Sequence, residues 1–220
     1  MKDTDRYVCS GCAESRSLPG RAMATAYNRK KQPKLVRRTL LDCAAKLALE
    51  QGLAAVTVQA VSHAAGVTKG ALFHHFPSKQ ALVEGVVADL IAQLDADIDA
   101  AMAKDPRPYG RYTRAYVDIT LHDPMITEGG QWAALHISIL AEPTLRRMVS
   151  DWFAERLHRH RDTDGDADLE FVRLAADGAW IAYLVREKPT DPVPELGALR
   201  ARLIAMTLAE PKPASGGDRG

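Results

Sequence analysis

Thr57-Val-Gln-Ala-Val-Ser-His-Ala-Ala-Gly-Val-Thr-Lys-Gly-Ala-Leu-Phe-His-His-Phe-Pro-Ser-Lys79 is the stretch on which the fold turns. Thr57 can accept a backbone N–H through its hydroxyl and so starts a helix. Val58, Val61, Ala64 and Ala65 follow at helical spacing, and Gly66 stops the run by tolerating positive φ. Thr68 then caps a second, very short helix from Lys69 to about His75. Small Ala64 and Ala65 let the two helices approach closely, and Val61, Val67, Leu72 and Phe76 are spaced to face inward. That leaves Thr68, Lys69, Gly70, Ala71, Phe73, His74 and His75 on or near the outer face. Two short helices around a tight glycine turn, with a helix before them, form a helix-turn-helix. Polar and small residues at the start of the second helix suit entry into a DNA major groove N-terminus first.

Upstream, Val36, Leu40, Cys43, Ala44, Leu47 and Ala48 give one apolar face to a helix from about Lys34 to Gln51, stopped by Gly52. Residues 1–33 show no such period and read as a flexible basic extension; Met23 offers a second plausible start. Arg29-Lys30-Lys31 with Lys34, Arg37 and Arg38 forms a basic arm, suited to phosphates or to the minor groove. Downstream, Ser78 caps a long helix to about Lys104, with Leu82, Val83, Val86, Val87, Leu90, Leu94, Ile98 and Met102 along one side. Asp105-Pro106-Arg107-Pro108 ends it. Further helices are expected near 109–121, 129–140, 143–160, 168–186 and 195–208, separated by proline, glycine and aspartate breaks. No segment alternates with period two for long enough to be a strand. The expected architecture is all-α. Residues 34–80 form a helix-turn-helix domain, linked by helix 78–104 to an all-helical body at 81–210; residues 211–220 form a disordered tail.

The formal net charge of +1 conceals an asymmetry. Arg29–Gln80 holds nine Lys/Arg against Asp42 and Glu50, a net of +7, whereas the chain from Ala81 onward holds sixteen bases and twenty-three acids, a net of −7. One end suits a polyanion and the other repels it. An apolar content of 46% can fill a core, yet the apolar stretches are too short and too often broken by charge to span a membrane. The first 30 residues lack the apolar run of a secretion signal, which points to a cytoplasmic protein. Cys9, Cys12 and Cys43 are too few for a disulfide framework.

The stretch 57–79, and more loosely residues 35–95, resembles the DNA-binding domain of the TetR/AcrR family. That domain usually ends in a Leu–aromatic–aromatic–His–Phe run, a short turn and a lysine; here the run is Leu72-Phe73-His74-His75-Phe76-Pro77-Ser78-Lys79. The resemblance implies a homodimeric transcriptional repressor that binds palindromic double-stranded operator DNA and is released by a small-molecule effector. It implies phosphate contacts at Thr57 and Lys79, groove contacts at Thr68, Lys69, Gly70 and Ala71, and contacts near the groove wall at His74 and His75. Gln59 is a further candidate for a base or a phosphate. Phe73 departs from the family pattern, where tyrosine is common, and a phenyl ring cannot donate to a phosphate. Ala71 can offer only apolar contact, for instance to a thymine methyl.

Other constellations carry less. Cys9-Ser-Gly-Cys12 has metal spacing but no second pair. Adjacent His74 and His75 diverge by about 100° on a helix, so no metal is expected there. Asp162-Thr-Asp-Gly-Asp-Ala-Asp168 fails the calcium-loop pattern: with Asp162 first, Ala167 takes the glycine position, and with Gly165 sixth, Phe171 takes the glutamate position. It reads as an interhelical turn, with Asp166 or Asp168 capping the next helix. Asp95, Asp97 and Asp99 are expected to face water. With no phosphate loop, nucleophile elbow or His-Glu-x-x-His, neither an enzyme nor a cofactor is expected. The alternatives are a ligand-independent architectural DNA protein and a small all-α enzyme; a solidly packed C-terminal body would favour the first, a buried acid–base pair with perturbed pKa the second.

Two surfaces are expected in the C-terminal body. Leu169, Val172, Ala176, Ala179, Trp180 and Tyr183, with Leu199 and Leu203, are read as the dimer interface, in line with the four-helix bundle the family implies. Tyr112, Tyr116, Met125, Trp132, His136 and Trp152 are read as walls of an effector pocket, because ligand sites are mostly apolar and aromatic. Tyr112 and Tyr116 share a helix face, as do Trp132 and His136. Asp118 and Glu128 lie nearby in sequence and would favour a cationic as well as an apolar ligand.

Overall fold

The computed structural model describes residues 33–122, 130–185 and 195–208. Among them there is no strand, and ten α-helices follow one another. They are α1 Pro33–Gln51, α2 Val58–Ala64, α3 Lys69–His75, α4 Lys79–Met102 and α5 Arg111–His122. The rest are α6 Gly130–Ala141, α7 Pro143–Arg159, α8 Arg161–Asp164, α9 Ala167–Leu184 and α10 Leu196–Met206. The short helix α8 falls where the aspartate run suggested only a turn. No helix among the described residues is long and apolar enough to cross a membrane.

The described residues divide into two compact units, 33–92 with 130–149, and 93–122 with 150–185 and 195–208. The division differs from the single cut expected after residue 80: it passes through α4, and residues 130–149 join the first unit.

In the first unit α1 packs against α2, α3, α6 and the 3-10 turn Leu53–Ala55. Leu40, Ala44, Ala48, Val56, Val61, Leu72 and Leu82 are almost completely buried. Gly85 of α4 permits a close approach: a Cβ there would lie 2.8 Å from the Phe76 ring and 3.3 Å from Leu41 Cδ2. The caps are local chemistry. Ala81 N–H donates to Ser78 Oγ at 3.0 Å before α4, and Leu145 N–H donates to Glu142 Oε2 at 2.7 Å before α7, with Pro143 first in that helix.

In the second unit α5 lies against α8, α9 and α10. One core joins Val117 and Leu121 to Val172, Ala176, Ala179 and Leu203; another joins Ile98, Tyr112, Ala115 and Tyr116. Asp166 caps α9, as expected, accepting from Asp168 N–H at 2.7 Å. The neighbouring Asp164 does more. It is buried and reaches across to the start of α5, accepting from Thr113 N–H at 2.7 Å and Tyr112 N–H at 3.3 Å. Gly110 N–H, at φ 69°, donates to Thr163 O at 2.9 Å. Three N–H groups at the start of α5 are thus satisfied by one distant segment. Asp95 and Asp99 do not simply face water. Arg156, 1% exposed, lies with Nε 2.9 Å from Asp95 and donates from Nη1 to Asp99 at 2.7 Å. Trp152 Nε1 also donates to Asp95, at 2.8 Å.

Candidate nucleic-acid interface

The turn between α2 and α3 is built by backbone bonds. Gly66 has φ 64°, Val67 N–H donates to Ser62 O at 3.0 Å, and Gly66 N–H donates to His63 O at 3.1 Å. This is a Schellman ending, and the left-handed residue it needs is the glycine. Thr57 and Thr68 each accept from a backbone N–H three residues on, Ala60 and Ala71, both at 3.1 Å. Accepting uses a lone pair, so each hydroxyl keeps its proton to donate, and both threonines are exposed.

The outer face of α3 is as the sequence suggests. Thr68, Lys69, Gly70, Phe73 and His74 are exposed, and Ala71 and His75 are half-buried. Lys69 Nζ reaches Gln59 Oε1 at 3.4 Å, tying the exposed side of α2 to α3. Lys79 is exposed, with Nζ 3.5 Å from Ala54 O. Gly70 is informative for what does not surround it. A Cβ at that position would meet only Thr68 Oγ1, at 3.9 Å, so nothing among the described residues requires glycine there. A helical glycine costs stability relative to alanine, and no contact among the described residues offsets that cost here. His74 and His75 lie edge to face with centroids 5.5 Å apart. Burial, then the charges of His74 and Arg37, hold the His75 imidazole below its ordinary pKa.

The residues expected to form the effector pocket divide. Tyr112, Tyr116 and Trp152 do meet, in the second core around Ile98. Tyr112 and Tyr116 have centroids 6.0 Å apart, Tyr116 lies edge-on to Phe153, and Tyr112 stacks on His160 at 5.0 Å. His136 is half-buried and belongs to the first unit. Met125 and the Trp132 side chain lie outside the described residues. Asp118 is taken by an ion pair with Arg200, so it is not the carboxylate beside the aromatics, and Glu128 lies outside the described residues. Asp177 has that position instead, accepting from the Tyr116 hydroxyl. Burial pushes the Tyr116 phenol well above its ordinary pKa and raises the Asp177 carboxyl. Nothing local in the sequence pairs these two, which are 61 residues apart.

The expected dimer residues need a correction. Leu169, Val172, Ala176, Ala179 and Leu203 are buried within the chain's own core, with Leu199 packed at its edge. Trp180 and Tyr183 are half-buried. The apolar side that α9 leaves uncovered is the other one: Phe171, Leu174, Ile181 and Val185 are 52–64% exposed. Gly178 lies among them, with open space where a Cβ would stand. Among the described residues no group of three His, Cys, Asp or Glu could hold a metal ion; Cys9 and Cys12 lie outside them.

Known proteins fit this arrangement. Residues 40–86 match the family described as bacterial regulatory proteins, tetR family, and residues 110–208 match the tetracyclin repressor-like C-terminal domain. The HTH-type transcriptional regulator BetI of Escherichia coli O17:K52:H18 is 27% identical over 168 residues, covering 70% of this chain and 85% of that regulator. The HTH-type transcriptional repressor KstR2 of Rhodococcus jostii is 46% identical over 59 residues, 26% of this chain and 29% of that repressor. Among solved structures, the multidrug binding protein EbrR complexed with malachite green superposes with a TM-score of 0.59 at 19% identity, covering 79% of this chain and 98% of that one. The two family matches, in that order, together cover more than half of the sequence, and the chain belongs to the TetR family of transcriptional regulators.

Proposed function

We propose that this regulator is a repressor that holds a palindromic operator through α2, α3 and the start of α4, and lets it go when a small molecule binds the second unit. The observation that carries the reading is the outer face of α3. It joins exposed Thr68, Lys69 and His74 to a glycine that no internal packing requires. Thr68 and Lys69 present polar groups to the groove, Gln59 one to a base or a phosphate, and Thr57 and Lys79 present donors to phosphates. The charge split supports the same orientation, since the basic segment Arg29–Gln80 contains this face. The protein acts in the cytoplasm, and its output is occupancy of DNA rather than a chemical reaction.

The effector is an apolar or cationic molecule bordered by Tyr112, Tyr116 and Trp152, with Asp177 as the carboxylate beside them. Helix α4 carries residues of both units, so a ligand that binds one position of that helix better than another shifts the operator-binding equilibrium by that difference. A second copy of the chain covers the outer stripe of α9. Its residues recur at three- and four-residue spacing, the pattern that lets two helices interlock, and Gly178 allows close approach.

Three variants test the DNA contacts. Lys69→Ala and His75→Ala should weaken operator binding specifically, and Lys79→Ala should weaken binding to every duplex and flatten its salt dependence. Unchanged affinity in all three would defeat the assignment.

A further inference from the structure

Arg37 and Arg38 are neighbours in the first turns of α1, and the structure gives them different work. Arg38 is spent internally. Its Nε donates to Asp42 at 2.7 Å and its Nη1 to Asp89 at 2.5 Å, so two carboxylates neutralise it and it ties α1 to α4. No carboxylate among the described residues pairs with Arg37. Its guanidinium lies over the Phe76 ring, 5.0 Å from the centroid, and the side chain is exposed. Phe76 is the residue on which α3 ends. A guanidinium resting on an aromatic face keeps its N–H donors in the plane, free for a partner, while the ring limits its wandering. The Arg37 charge lies near enough to the end of α3 to add, after burial and His74, to the lowering of the His75 pKa. The result is a pre-oriented cation, unpaired among the described residues, at one end of the face read above as the DNA-reading surface. The DNA backbone flanks any helix seated in the major groove, and planar forks of N–H donors match phosphate oxygens.

We propose that Arg37 is a phosphate-binding residue of the DNA complex, held in place by Phe76, and that Arg38 is a structural tie with no part in binding. The proposal rests on the DNA-binding reading of α3, but it concerns phosphate and so applies to any duplex sequence. The test is therefore made on a random-sequence duplex, with affinity measured by fluorescence anisotropy against KCl concentration. Arg37→Gln should lower the slope of log affinity against log salt by about 0.9 for each subunit on the DNA. It should lower the thermal midpoint by no more than about 3 °C, because the one interaction lost is an exposed contact with the Phe76 ring, worth about 0.5–1 kcal/mol. Arg38→Gln should lower the thermal midpoint and keep the wild-type slope. A wild-type slope in Arg37→Gln, or an equal loss of slope in Arg38→Gln, would overturn the proposal. Lys69→Ala, run beside them on a selected operator, separates the two readings: intact operator preference in that variant counts against sequence reading by α3 and leaves the Arg37 result on random duplex to be judged by itself.

Discussion

Replacing Gly70 with alanine should push stability and DNA binding in opposite directions. The glycine is second in α3 and its φ is in the ordinary helical range, so alanine can adopt its backbone without strain. The added Cβ would find its nearest neighbour, Thr68 Oγ1, at 3.9 Å, an ordinary contact. Nothing in the free protein therefore opposes the substitution, and the gain is the difference in helix propensity. That difference is about 0.8–1.0 kcal/mol in a helix interior. Near the helix start a gain of about 0.5 kcal/mol is expected, which for a chain of this size raises the thermal midpoint by about 1–2 °C. On the proposed reading, the same methyl occupies the space where the duplex meets bare backbone. A loss of about 1.4 kcal/mol, tenfold in affinity, is expected for the operator. Thermal unfolding and anisotropy titration on one preparation read both effects. Alanine that stabilises the fold and binds the operator as tightly as glycine would refute the reasoning, because the glycine would then serve neither packing nor DNA.

Asp164→Ala should be among the most damaging substitutions in the second unit. It strands the N–H groups of Tyr112 and Thr113, both residues at most 1% exposed, at about 1–3 kcal/mol each, so a loss near 3 kcal/mol is expected in urea unfolding. Asp164→Asn keeps one acceptor and should lose less; a shift under about 1 kcal/mol for the alanine variant would count against the cap. On the exposed side of α9, the pair Phe171→Glu and Ile181→Glu should convert a dimer to a folded monomer in sedimentation velocity. Val172→Ala, inside the core, should instead lower stability and leave the association state alone. A dimer that survives both glutamates would mean that another face joins the copies.

Features set by neighbours in sequence were legible before the fold was known. Thr57, Thr68 and Ser78 cap helices, and Gly66 turns the chain, because the bonds involved run over three to five residues. The outward face of α3 followed from the inward positions of Val61, Leu72 and Phe76. Contacts between distant segments were not legible. Asp164 sits in a run of aspartates that locally resembles a solvated turn, and its partners lie 51 and 52 residues earlier. Asp95 and Asp99 look like surface charges until Arg156, 57 residues away from Asp99, arrives beside them. Helix α9 shows why periodicity can mislead. Leu169, Val172, Ala176 and Ala179 form one apolar side, and Phe171, Leu174, Ile181 and Val185 form another. A helix apolar on two sides does not say which one its own chain covers; the contacts of Val117, Leu121 and Leu203 with the first side decide it.

The central claim, that this chain reads DNA through α3, is tested most directly by selecting bound duplexes from a random pool with the purified full-length protein. The account predicts enrichment of a palindrome whose half-sites are spaced for two recognition helices about 34–36 Å apart, one turn of duplex, or a multiple of that. It further predicts that the Lys69→Ala protein loses this enrichment. Recovery of unenriched sequence from the pool, with the wild-type protein folded and in excess, would contradict it.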